Sequence, residues 1–257
     1  MNVLQNIIEI GDNLMNEENH NPIIEIENLS FAYKTDNWII KEANFTVNGG
    51  EILGIAGPSG IGKTTLGYIL KGIIPHSIRG KLEGNISLDG LNIKKLSIST
   101  IARSVGMVFQ NLNAQLFSNT VKEEIEFGLK NLKMDPSLAI QAMKKLKIED
   151  LSEKSPMNLS AGQKQRVILA SIMALKPKIL ILDEPSVYLD PPNKIRLKEW
   201  LIEQNQEFQT TILIASNDPW LIGEMCNEIL FFKNRTVEKI HKSEVMIEKT
   251  SWNWSYT

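Results

Sequence analysis

The stretch GPSGIGKTT, Gly57 to Thr65, gathers the residue types that hold phosphate. Gly57, Gly60 and Gly62, with Pro58, Ser59 and Ile61 between them, let backbone N–H groups converge on phosphate oxygens. Lys63 adds a point charge for the β- and γ-phosphates, Thr64 offers a hydroxyl to Mg²⁺, and Thr65 continues into a helix-like segment. EILGIA before the stretch reads as a strand and TLGYILKG after it as a helix. Strand, G-x-x-x-x-G-K-T and helix in that order mark a phosphate-binding loop rather than a chance glycine turn.

A second candidate lies far along the chain, in KILILDEP, where an apolar strand ends in Asp183 and Glu184. Side chains alternate along a strand, so the two carboxylates point in different directions and serve different jobs. Asp183 suits the Mg²⁺ shell, and Glu184 suits orienting or deprotonating an attacking water. Alone, such a pair is equally well a solvated turn. Behind a phosphate loop it reads as the second half of a nucleoside-triphosphate-hydrolysing centre using Mg²⁺.

The elements that must position these residues emerge from patterning. IIEIENLSFAY, NFTVNGGEILGIAG and LEGNISLDG are rich in β-branched and aromatic residues between glycine and asparagine turns, so residues 23 to 87 read as strand-rich. TVKEEIEFGLKNL and PSLAIQAMKKLKIEDL carry apolar residues at three- and four-residue spacing, which predicts an inserted helical segment over about 111–175. KILILD, a helix over about 193–206, and TTILIAS complete an α/β pattern with a mainly parallel sheet covered on both faces. The fold class expected from this pattern is α/β.

NEENHNP breaks the pattern ahead of residue 23, so 1–22 reads as an extension, 23–240 as the domain and 241–257 as a tail. Leu4, Ile7, Ile8 and Leu14 allow the extension a short amphipathic helix, with a loose terminus as the alternative. The tail contains SWNWSYT, which matches no motif.

Composition narrows the partners. At 257 residues, 42% hydrophobic and 23% charged, the chain suits one large domain, and a net charge of -2 lacks the basic excess of a nucleic-acid binder. The single cysteine, Cys226, forms no intrachain disulfide and reads as a core residue in a reducing cytoplasm. No basic-then-apolar leader and no run of about 18 apolar residues is present, so a membrane role has to pass through a partner.

NLSAGQKQR, Asn158 to Arg166, completes an ordered set: phosphate loop, glutamine loop, L-S-x-G-Q, apolar strand with Asp-Glu, and a later Asp-bearing loop. Over about residues 23 to 240 this order resembles the ATPase subunit of ATP-binding cassette (ABC) transporters, which implies a P-loop NTPase, RecA-like, mainly parallel core with an N-terminal antiparallel β subdomain and an inserted α-helical subdomain. The resemblance implies a dimer in which each ATP lies between one subunit's phosphate loop and the other's signature, here Ser160, Ala161, Gly162 and Gln163. A small segment opening a helix there would aim its N-terminus at the γ-phosphate, although a plain helix N-cap explains Ser160 equally well. The resemblance further assigns Gln110 to Mg²⁺ and to the membrane partner, Tyr33 to stacking on adenine, and Asp190 to the loop between the two sites. For Gln110 the alternative is a polar core residue, and for Tyr33 simple packing beside Phe31. FQNLNAQLFSNTVKEEIEFGLKNL resembles the energy-coupling-factor, or cobalt-type, branch that drives vitamin and metal-ion uptake, with Leu112 where that branch usually has proline.

Three departures from the family pattern stand out. Asn217 occupies the position of the histidine that contacts the γ-phosphate, and none of His20, His76 and His241 matches it. An amide still donates one N–H bond but is shorter and never cationic. Ala161 replaces the first signature glycine, and Val187 and Tyr188 replace small residues before Leu189 and Asp190. In a homodimer both site defects would fall in both sites, whereas a heterodimer with a second ABC ATPase subunit distributes them. The function expected is ATP hydrolysis on the inner face of the membrane, coupled to transport through separate transmembrane subunits. Alternatives are a small-peptide exporter or immunity system, a non-catalytic nucleotide-sensing scaffold, and a soluble cassette acting on ribosomes or DNA.

Overall fold

The computed structural model describes residues 22–35 and 37–244. Nearly all of the expected N-terminal extension and C-terminal tail therefore lies outside the described residues. Alternating apolar residues open the chain as two long antiparallel strands, β1 (Pro22–Ala32) and β2 (Trp38–Asn48). NFTVNGGEILGIAG, one strand-rich stretch by sequence, divides here, because Gly50 turns at φ 76° before β3 (Ile52–Ala56). The turn is fastened from outside: Gly50 N–H donates to Thr211 Oγ1 at 2.9 Å, and Asn205 Nδ2 donates to the Gly50 carbonyl at 2.6 Å. The two halves of the stretch thus belong to different sheets.

After β3 come α1 (Lys63–Leu70), a one-turn α2 (Ile73–His76), β4 (Lys81–Leu88), β5 (Leu91–Asn92), α3 (Ile98–Ser104) and β6 (Val105–Val108). The inserted helices are α4 (Val121–Asn131), α5 (Ser137–Lys145) and α6 (Ala161–Met173). The chain then returns through β7 (Ile179–Asp183), α7 (Pro191–Phe208), β8 (Thr211–Ala215), α8 (Pro219–Met225), β9 (Glu228–Lys233) and β10 (Thr236–His241). One sheet has the order β2-β1-β4-β5 and the other β10-β9-β3-β8-β7-β6. In the larger sheet β9, β3, β8, β7 and β6 pair in parallel and β10 closes the edge antiparallel.

The apolar runs of β7 and β8 are explained by burial on both faces. Ile179, Ile181, Leu213 and Ala215 point into a core shared with the antiparallel sheet and α1. Leu180, Leu182, Ile212 and Ile214 point into a second core beneath α4, α6 and α7. Cys226 is buried in that second core, and burial pushes its thiol up to about 12, as a core cysteine requires. The α4 helix buries Val121, Ile125 and Leu129 on one stripe and starts on a capping box between Thr120 and Glu123.

Sequence patterning alone does not reveal β6, β9 and β10. VGMV is too short for a period to show, and the other two carry no motif. Close packing at β6 depends on glycine: a Cβ on Gly106 would stand 2.3 Å from Ile172 Cγ2 of α6. Gly106→Ala is expected to cost about 1–3 kcal/mol through overpacking, read as a lowered thermal midpoint. An unchanged midpoint would contradict the packing described.

Candidate functional site

Strand order decides what meets. Because β8 lies between β3 and β7, the segments leaving the C-terminal ends of all three strands converge on one crevice, where parallel α/β sheets place ligands. The phosphate loop links β3 to α1, Asp183 is the last residue of β7, and Asn217 lies two residues beyond β8. A cavity of about 430 Å³ forms there, lined among others by Tyr33, Lys63, Thr64, Gln110, Glu184 and Asn217.

Hydrogen bonds tie these residues together. Thr64 Oγ1 donates to Asp183 Oδ2 at 2.7 Å across 119 residues of chain. Lys63 Nζ donates to the Gly57 carbonyl at 2.8 Å, the Pro58 carbonyl at 3.3 Å and Asn217 Oδ1 at 3.0 Å. Glu184 accepts from Asn217 N–H at 3.1 Å and from Ser216 Oγ at 3.2 Å. Tyr33 shares a hydrogen bond with Thr65 Oγ1 at 3.0 Å and meets Phe31 edge-on with centroids 4.8 Å apart. It is 43% exposed, so it lines the cavity as well as packing.

The two carboxylates do diverge, but strand alternation is only part of the reason. Glu184 lies beyond the end of β7 with φ 48°, a left-handed turn that swings its side chain toward Ser216 and Asn217. Burial raises the pKa of Asp183, opposed by the Thr64 hydrogen bond and by Lys63. Burial likewise raises that of Glu184 and lowers that of Lys63, the two carboxylates partly offsetting the latter. All three charges are held away from bulk water, where their fields act strongly on a ligand.

Other predicted residues take different places. Gln110 is on the cavity wall and is not a core residue. Ile61 packs its side chain against the core beneath the loop, leaving only its backbone for ligand contact. Ser160 caps α6 in a reciprocal box: Gln163 N–H donates to Ser160 Oγ at 3.3 Å, and Ser160 N–H donates to Gln163 Oε1 at 2.9 Å. Asp190 caps α7 by accepting from Asn193 N–H at 3.0 Å. None of Ser160, Ala161, Gly162, Gln163 and Asp190 lines the phosphate-loop cavity. Ser160, Ala161 and Asp190 are exposed elsewhere on the surface, whereas Val187, 51% exposed, lines the cavity and its neighbour Tyr188 is 58% exposed.

Sequence reasoning missed the residues that support the site. Gln165, buried in α6, donates from Nε2 to the Pro185 carbonyl at 2.8 Å and anchors the Asp-Glu-Pro turn. Gln115 holds the Gln110 loop, donating to the Met107 carbonyl at 2.7 Å and accepting from Phe109 N–H at 3.0 Å. Asp218 accepts from Ser186 Oγ at 3.0 Å and Lys194 Nζ at 2.6 Å, which joins the segments after β7 and β8. The partners of Gln165 and Asp218 are 20 or more residues away, so no local pattern announces them, while Gln115 acts on nearby backbone groups that carry no sequence signal.

Comparison with known proteins bears on the same region. The family described as ABC transporter matches residues 40–187. A Pyrococcus abyssi protein described as an ABC transporter ATP-binding protein is 39% identical, over 90% of this chain and 84% of its own length. The energy-coupling factor transporter ATP-binding protein EcfA of Malacoplasma penetrans is 30% identical, over 94% of this chain and 84% of its own. Among solved structures, cbiO1 of Clostridium perfringens, described as part of the ABC transporter complex cbiONQ, superposes with a TM-score of 0.78 at 32% identity. The superposition covers 90% of this chain and 93% of that one.

The carboxylate beside Asn217 generates a prediction about stability. With its pKa raised, Glu184 contributes stability that is complete below the unfolded-state carboxyl range and is lost as pH rises through the folded value. Glu184→Gln removes that loss and keeps an acceptor for Asn217 N–H. The variant is expected to melt above the wild type at neutral pH, with the gap closing in mild acid. A gap of the same size at every pH would contradict the desolvation described.

Proposed function

The chain belongs to the ABC transporter family as an ATP-binding subunit whose ATP hydrolysis is coupled to transport, and we propose that it powers uptake of a vitamin or metal ion through separate transmembrane subunits. The observation that carries the assignment of roles is the cavity itself, which brings Lys63, the Thr64–Asp183 pair and Glu184 to one wall. Lys63 and the loop amides from Gly57 to Thr65 hold the phosphates, and Tyr33 offers its exposed ring to the base. Glu184 orients and deprotonates the attacking water.

Mg²⁺ fits the donors present. Thr64 and Asp183 supply hard oxygens side by side, and Asp183 is a buried carboxylate whose charge a cation would compensate. Among the described residues no cluster of three or more His, Cys, Asp or Glu offers an all-protein metal cage. Thr64, Asp183 and Gln110 would hold Mg²⁺, and it would neutralise charge on the phosphates.

The uptake branch is supported by the FQNLNAQLF motif and by the similarity to EcfA and cbiO1. Among the described residues no helix is long and apolar enough to cross a membrane. Working from the cytoplasmic face, the chain pairs with a second cassette, and a different one is favoured. Asn217 belongs to the cavity of this chain's own Lys63, whereas Ala161 sits on the separate signature face. The two departures therefore fall in different composite sites, and a more regular partner leaves each site with one intact half. Val187, exposed on the cavity wall, and the exposed Tyr188 put bulk where the two subunits would meet.

Three rates test this reading. Glu184→Gln is expected to lower steady-state ATPase activity by about 100-fold or more. Asn217→His is expected to raise it, by roughly 5- to 150-fold if the restored ring contact acts in the transition state. The chain alone should turn over slowly and without cooperativity, and addition of its partner cassette should restore both. Full cooperative turnover by the lone chain would refute the unequal pair, and indifference to Glu184→Gln would instead mark a nucleotide-sensing scaffold.

A further inference from the structure

Lys63 has three N–H bonds, and each has an acceptor within the fold: the Gly57 carbonyl at 2.8 Å, the Pro58 carbonyl at 3.3 Å and Asn217 Oδ1 at 3.0 Å. A phosphate oxygen that joins this ammonium must take the place of one of them. Two are backbone carbonyls held by the loop. Gly57 is locked at φ 147°, where even a Cβ would lie 2.9 Å from Phe232 Cβ. The Pro58 carbonyl also accepts from Ile61 N–H at 3.2 Å. The third acceptor is the amide oxygen of a half-buried side chain, which can rotate away.

The remaining bonds of Asn217 place that amide for the task. Its Nδ2 donates to Ser59 Oγ at 3.2 Å, which turns Oδ1 toward Lys63. Its backbone N–H donates to Glu184 at 3.1 Å, which holds the main chain and leaves the amide as the part that moves. We propose that Asn217 is a positioning residue that competes with the nucleotide phosphates for Lys63, and thereby sets nucleotide affinity. The proposal rests on the reading that Lys63 grips phosphate in this cavity.

Histidine at 217 would not act in this way when charged, because an imidazolium has no acceptor. The substitution therefore adds a property as well as removing one. Competition for Lys63 is a ground-state effect, so it raises Kd and KM and leaves the bond-breaking step little changed. ADP and ATP both present phosphate to Lys63, so both should be weakened to a similar degree.

The test is calorimetric binding of ADP and of a non-hydrolysable ATP analogue, each with Mg²⁺, to the wild type, Asn217→Ala and Asn217→Leu. The leucine variant keeps the branched shape and heavy-atom count while deleting donor and acceptor, so a folding defect in the alanine variant does not remove the test. Both substitutions are expected to tighten both nucleotides by about 3- to 30-fold, with KM falling and kcat changing by less than KM. Unchanged binding by a folded variant would overturn the proposal, and weaker binding would overturn it and make Asn217 a direct phosphate ligand. Lys63→Ala separates the underlying reading: if it leaves nucleotide affinity intact, the assignment of the cavity itself is wrong.

Discussion

The pairing of β3, β8 and β7 in parallel is the constraint on which the site depends. Register aligns Ile55 with Ala215 and Ala215 with Asp183, so the three strands end at nearly the same level. Chain segments that are far apart in sequence then leave the sheet side by side. The hydrogen bond from Thr64 to Asp183 and that from Lys63 to Asn217 are direct products of this register. A slip of one residue would turn each strand's side chains to the opposite face. It would also set the two cores against each other, because β7 and β8 bury alternate residues on opposite sides.

Once the segments converge, the balance of buried charge shapes their chemistry. Lys63, Asp183 and Glu184 all resist ionisation because of burial, and in each case an oppositely charged neighbour partly compensates. Such a cluster is costly to the fold by itself and favourable toward a ligand that brings phosphate and a cation. The second ring of contacts keeps the cluster in place. Ser216 and Asn217 fasten Glu184, Gln165 anchors the turn behind it, and Asp218 links that turn to the segment after β8.

The helical insertion serves another surface. Its α6 helix begins at Ser160 with a complete capping box, so its N-terminus is ordered, and it lies apart from the cavity of the chain's own phosphate loop. The same helix reaches back through Gln165 to Pro185, which physically connects the signature face to the Asp-Glu turn. Gln115 similarly braces the loop carrying Gln110 against β6. Short hydrogen-bonded links thus join the cavity to the N-terminal half of α6 and to the start of the insertion.

Much of this was legible in the residues. The sequence places Gly57 to Thr65 between a strand and a helix and Asp183 at the end of an apolar strand, and the fold has them there, because these motifs are local. The LSAGQ pattern and its order relative to the others carried the family, and helical spacing announced the insertion. What the chain did not announce were contacts between distant segments and elements too short for a period. VGMV gives no strand signal, and the turn dividing β2 from β3 is held by Thr211 and Asn205. In sequence, Asn217 was only a missing histidine. That its amide lies against Lys63 and Ser59, and its backbone against Glu184, was decided by strand order, since only the folded sheet places β8 between β3 and β7.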